Sequence, residues 1–149
     1  MPLANIKLTS PAFKNNGLIP KEYTCDGQGI SPELTITDVS PDAKSLVLLV
    51  DDPDAPAGTW THWLVFNLAA NLTRIAEGKE PGGVKGLNSW GRTSYGAPCP
   101  PSGVHRYFFK VYALDLKLDL AEAVSRKQVE EKMQGHIVQQ GELIGRYGR

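Results

Sequence analysis

Ser45-Leu46-Val47-Leu48-Leu49-Val50, followed at once by Asp51-Asp52-Pro53-Asp54-Ala55-Pro56, is the stretch from which the fold is read. A continuous run rich in β-formers marks a strand covered on both faces. Proline cannot donate to a sheet ladder, so Pro53 and Pro56 stop the strand and hold the carboxylates at its end. Acidic groups therefore sit on a rigid rim.

Working outward, a second strand is expected over about Trp60 to Leu68, and strict alternation puts Trp60, His62, Leu64, Phe66 and Leu68 on one face. A third, over about His105 to Leu114, puts His105, Tyr107, Phe109, Val111 and Ala113 together, with Arg106, Phe108, Lys110 and Tyr112 opposite. Between them, Gly78 to Gly103 holds seven glycines and four prolines. Long loops without regular structure are either functional or disordered, and proline stiffness with Trp90 and Tyr95 available to pack favours an ordered wall. Ser125-Arg126-Lys127-Gln128 fits a capping box, and Val129, Met133 and Ile137 follow at helical spacing. One amphipathic helix is expected over Arg126 to Val138, weakened by Gly135, with a shorter turn near Leu120 to Val124. The sum is a mainly β fold with a late helix, and no internal repeat.

At 149 residues the chain reads as one domain, 1–149, long enough to bury roughly two thirds of its unfolded surface. Sixteen basic and sixteen acidic residues balance, so no broad positive field exists for nucleic acid or an anionic bilayer. No run approaches membrane-spanning length, and Met1 to Lys7 carries neither an apolar signal core nor a basic leader. The cytoplasm is the expected compartment. Cys25 and Cys99 lack the spacing of redox or zinc motifs and are read as free thiols, a single bridge between them being the alternative.

Two of the three histidines stand within two residues of an aromatic on these strands, in Trp60-Thr61-His62-Trp63 and His105-Arg106-Tyr107. A single strand histidine is more often a packed core residue than a ligand. The pair, joined to the aspartates and Tyr107, reverses that. A phosphate monoester presents nearly two charges and strong acceptors at neutral pH, and His62, His105 and the Tyr107 hydroxyl supply matching donors. Asp52 either fixes the tautomer of one histidine or holds the amine of a zwitterion. Asp51 and Asp54 read equally as solvated rim or turn residues, and Arg106 as a salt-bridge partner. Cys99 lines the wall or is a small buried thiol, and His136 is structural or exposed.

Taken together, DPDAP at 52–56, W-x-H at 60–62, GAPCPPSGVHRYFFKVYALD at 96–115 and the tail GHIVQQGELIGRYGR resemble the phosphatidylethanolamine-binding protein family, in its short prokaryotic Raf-kinase-inhibitor-like branch. YTCDG at 23–27 and SPEL at 31–34 extend the match over nearly the whole chain. The resemblance implies a large antiparallel sheet packed with a smaller sheet, one or two short C-terminal helices, and a pocket for phosphate-like anions. It implies ligand-binding roles for Asp52, Pro56, Trp60, His62, Pro100, Pro101, His105 and Tyr107, with no cofactor and no metal, and homodimerisation as in prokaryotic members. Eukaryotic relatives carry a longer C-terminal segment that closes one side of the cavity, whereas this sequence stops at Arg149.

Three functional classes follow. The first is a non-catalytic module that binds a small anionic or phosphorylated ligand. The second is a small hydrolase using a metal or a His/Asp pair; no nucleophile motif, phosphate loop or HExxH accompanies the histidines, so it ranks below binding. The third is modulation of a kinase or protease partner, as the family name suggests.

Overall fold

The structure is a computed structural model that describes residues 4–149, so Met1 to Leu3, part of the stretch read for a leader, lie outside it. Ten strands and one α-helix follow in the order β1 (Ala4–Asn5), β2 (Lys7–Thr9), β3 (Gly17–Leu18), β4 (Leu34–Thr37), β5 (Ser45–Asp52), β6 (Trp60–Leu68), β7 (Arg74–Ile75), β8 (Val84–Lys85), β9 (Val104–Leu114), α1 (Arg126–Met133) and β10 (Ile137–Gly148). The larger sheet has the order β1-β10-β9-β5-β6-β8, with β3 also on β10, and β2-β4-β7 make a smaller one. The long strands pair antiparallel; only the short β1 and β3 run parallel to β10. The expected mainly β architecture of two sheets and a late helix is what the chain adopts.

All eight residues of β5 are buried, because the strand is central and covered on both sides. On one side Leu46, Leu48 and Val50 join Val65, Phe109 and Val111 against Leu34, Ile36 and Ile75 of the smaller sheet. On the other, Val47, Leu49, Leu64 and Phe66 pack under Val129 and Met133 of α1. Each fully buried aliphatic side chain of this kind is worth about 1.5–3 kcal/mol of transfer free energy, so the two layers hold β5 in place from both sides. The strand runs two residues beyond the apolar stretch, through Asp51 to Asp52, and stops before Pro53, which cannot donate to the ladder.

Two sequence expectations need correction. The helix stops at Met133: Gly135 takes a left-handed φ of +80°, which L-residues avoid, and Ile137 and Val138 open β10 instead of extending the helix. The single-face reading of β6 also fails. Register runs Val50↔Trp63 and then Asp51↔Thr61, leaving His62 as an extra residue in the ladder, and slips again between Leu48↔Val65 and Leu46↔Leu68. A β-bulge re-aims the side chains beyond it. Leu64 and Phe66 therefore face α1, whereas Trp63, Val65 and Leu68 face the smaller sheet. At the second slip Asn67 has φ +53° and its amide exchanges two hydrogen bonds with the backbone of Leu118.

Candidate functional site

Strands β5, β6 and β9 lie side by side, so their ends bring Asp52, His62, His105 and Tyr107 to one place. Alternation along β9 aims His105 and Tyr107 the same way as Phe109 and Val111. The bulge turns His62 to that same side: its ring meets Tyr107 edge-on, centroids 5.2 Å apart. Without the extra residue His62 would follow Leu64 toward the helix. Asp52, His62, His105 and Tyr107 are between 1% and 7% exposed, so their polar atoms work in a poorly hydrated setting.

The hollow they floor has a volume of about 340 Å³. Its lining joins the four to Pro56, Trp60, Pro100 and Pro101, so the structure gathers all eight residues to which the resemblance gave a ligand-binding role; Cys99 lines the wall, one of its two expected places, and Ala55, Ala57 and Trp90 complete it. A hollow of about 450 Å³ elsewhere, lined by groups such as Lys110, Tyr112 and Glu142, is polar and holds no histidine. The smaller of these two combines apolar walls with a few convergent polar groups, the usual make-up of a ligand site.

Both rings are tied through the same atom. His105 Nδ1 lies 2.6 Å from Asp52 Oδ2, and His62 Nδ1 lies 2.7 Å from the Gly96 carbonyl oxygen. A carboxylate and a carbonyl only accept, so Nδ1 donates in each case and Nε2 is the nitrogen left for a ligand. Asp52 Oδ1 accepts the backbone N–H of Asp54 at 2.8 Å. Each Asp52 oxygen thus accepts one internal hydrogen bond, and Oδ2 orients the His105 ring. Burial lowers the pKa of His62, with the hydrogen bond to Gly96 opposing it, so the surroundings favour the neutral ring. Burial, then the Asp52 charge, pushes the Tyr107 hydroxyl well above its usual range, so it remains a donor.

The wall is loop-built. Trp90 stands edge-on to both His62 and Trp60, at 5.0 and 5.4 Å. It also rests on Gly96, where a Cβ would come within 2.1 Å of the indole. The Gly96 N–H donates to the His62 carbonyl at 2.8 Å, so this one residue holds His62 from both its backbone and its ring. The sequence reading puts Trp90 in the ordered wall but not among the ligand-binding residues; an aromatic followed by small residues in a Pro/Gly-rich loop is the signal for that closer role. The same reading misjudged the cysteines, which are bridged: Cys25 and Cys99 lie 5.4 Å apart at Cα. Two cysteines 74 residues apart carry no local signature. They meet because the Cys25 N–H donates to the Pro98 carbonyl, docking one loop on the other.

The flanking charges are paired with one another. Arg106 makes a two-pronged pair with Asp54, at 2.9 and 2.8 Å, which holds that carboxyl down at about 2. Asp51 is no rim residue: it points to the far side of the sheet, between Lys110 and Arg126. His136 pairs with Asp115 on the exposed surface, remote from the hollow.

The profile of the Phosphatidylethanolamine-binding protein family matches residues 9–148. The chain belongs to that family. It is 49% identical to a UPF0098 protein of Methanothermobacter thermautotrophicus, over 97% of this chain and 99% of the relative, and 50% identical to one of Chlamydia pneumoniae, over 95% and 98%. A crystal structure described as a putative phosphatidylethanolamine-binding protein homologue from Chlamydia trachomatis superposes with a TM-score of 0.94 at 47% identity, covering 97% of this chain and 98% of that one. E. coli YbcL, described as a new member of the mammalian family, superposes with a TM-score of 0.90 at 31% identity, covering 98% and 99%. The histidines, aspartate and prolines of the hollow thus occupy a phosphatidylethanolamine-binding protein fold from end to end.

Proposed function

We propose that this member of the phosphatidylethanolamine-binding protein family holds a small anionic or phosphorylated ligand in the hollow without turning it over. One observation carries the reading: two buried imidazoles commit Nδ1 to internal acceptors and leave Nε2 for whatever enters. While neutral, each Nε2 is a lone pair and repels an anion; once protonated it donates. Anion binding therefore takes up a proton wherever a ring is neutral beforehand, the form that burial favours for His62. Each such proton adds up to about tenfold in affinity per pH unit lost, while the pH stays above the ring's own pKa. The sign is fixed: affinity rises as pH falls from about 7.5 to 6. Calorimetry with sulfate, whose own charge is constant over this range, tests it. Stronger binding at the lower pH supports the reading; equal affinity at both, or affinity unchanged in His105→Ala, ends it.

The buried His105–Asp52 pair is also the arrangement of a general base and its orienting carboxylate, so hydrolysis is the second reading. Phosphatase or esterase activity that His105→Ala abolishes would favour it; dependence on added zinc would favour its metal form. Modulation of a kinase or protease partner would use the rim, where Trp90 is 44% exposed. Retention of a partner by a variant lacking both histidines would show it.

Homodimerisation is proposed with the family and is checked by light scattering. Among the described residues no helix is long and apolar enough to cross a membrane. We place the protein in the cytoplasm, where the Cys25–Cys99 bridge would have to withstand a reducing thiol pool. Thiol trapping on fractionated cells decides this, a bridged pool in an outer compartment overturning it.

A further inference from the structure

We propose that Arg126, on α1 across the sheet from the hollow, is a positioning residue that holds the bulge from which His62 is aimed. Adjacent residues of a strand point to opposite faces, so Asp51 and Thr61 are the far-side neighbours of Asp52 and His62. The same Arg126 nitrogen lies 2.9 Å from Asp51 Oδ2 and 3.1 Å from Thr61 Oγ1. Asp51 and Thr61 are also register partners, at the step where the β5–β6 ladder slips and His62 goes unpaired. Bulges disrupt the ladder locally. There the guanidinium ties the two strands from behind.

Two further features set this contact apart from an ordinary surface ion pair. Asp51 is 1% exposed and its Oδ1 has no partner, so its charge is sustained in the interior by Arg126 and Lys110 alone among the described residues. Arg126 is also the first residue of α1, where the helix dipole disfavours a cation, and the first turn has no acidic residue. Arg126 Nε also pairs with Glu130 Oε1 one turn on, at 3.1 Å, but the helix does not depend on it: Ser125 and Gln128 cap it, and Val129 and Met133 bury its apolar face. A cation that stands at the helix N-terminus yet reaches two strand neighbours of the floor fits a role outside the helix.

The affinity part of this inference rests on the anion reading; the geometric part does not. The test compares Arg126→Gln, Arg126→Lys and Val129→Ala by the ring NMR signals of the histidines, sulfate affinity at pH 6.5, and thermal stability. Lys110 still pairs Asp51 in Arg126→Gln, which favours folding; should that variant not fold, Arg126→Lys is read in its place. In Arg126→Gln the His62 signal moves or splits and sulfate affinity falls by about fivefold or more, while His136 is unmoved. A lysine keeps the charge but falls one bond short of the arginine nitrogen that meets Asp51 and Thr61, and gives an intermediate result. Val129→Ala lowers stability with the His62 signal and the affinity of the wild type. An unmoved His62 signal in Arg126→Gln, or the same shift in Val129→Ala, overturns the proposal. A wild type that ignores sulfate overturns the anion reading instead, and the ring signal still decides the role of Arg126.

Discussion

The floor and the wall of the hollow are built by different means. Asp52, His62, His105 and Tyr107 stand on the central strands of a seven-stranded sheet, buried and fixed by register. Trp90, Cys99 and Pro101 stand on exposed loop, held by the Cys25–Cys99 bridge, by Gly96, and by a hydrogen bond from the Tyr95 hydroxyl to the Tyr23 carbonyl. Groups that must keep a charge state and a direction sit where the fold is cooperative; groups that shape access sit where it opens most cheaply. Changes to the wall should therefore alter stability and fit, and changes to the floor should alter the charge the site demands.

The largest expected effect is on the wall. Replacing both Cys25 and Cys99 by serine opens a loop of 74 residues, for which the chain-entropy model gives about 4 kcal/mol. Urea unfolding should show a loss of roughly 2–4 kcal/mol, with the His62 and His105 ring signals of the folded protein retained. Collapse of those signals would mean that floor and wall are one unit.

Next comes the floor. His62→Ala removes one charge-assisted hydrogen bond, worth about 1.5–3 kcal/mol, so sulfate affinity should fall by roughly 10- to 100-fold and its pH dependence should flatten. A variant that binds as tightly as the wild type would place the anion elsewhere. The smallest effect links the two regions. Gly96→Ala drives a methyl into the Trp90 indole, an overpacking that costs about 1–3 kcal/mol and displaces the ring, which its fluorescence reports. Trp90→Ala in the same background should restore the stability, and failure to do so would mean that Gly96 is needed for its backbone alone.

How much of this was legible in the sequence depends on the range of the signal. The covered strand Ser45–Asp52 and the alternation of β9 were readable because each residue's direction follows from its neighbours. His62 shows the limit. Alternation put it on the face of Leu64 and Phe66, and the bulge put it opposite them; what made the hollow recognisable was the family motif, not the period. A one-residue slip depends on the partner strand, which a single strand's sequence does not encode. The bridge and the Arg126 contact stayed hidden for the same reason, since each joins segments brought together only by the complete sheet. The helix end was readable in principle, because Gly135 marked it.

The central claim is that both imidazoles receive the anion through Nε2 and are charged when they do. Titrating His62 and His105 by ¹⁵N NMR, with and without saturating sulfate, tests it most directly. The account predicts that sulfate raises the pKa of both rings and that Nε2, with Nδ1 already protonated, is the nitrogen that gains the proton. Rings that titrate identically with and without sulfate, or a proton gained at Nδ1, would contradict it.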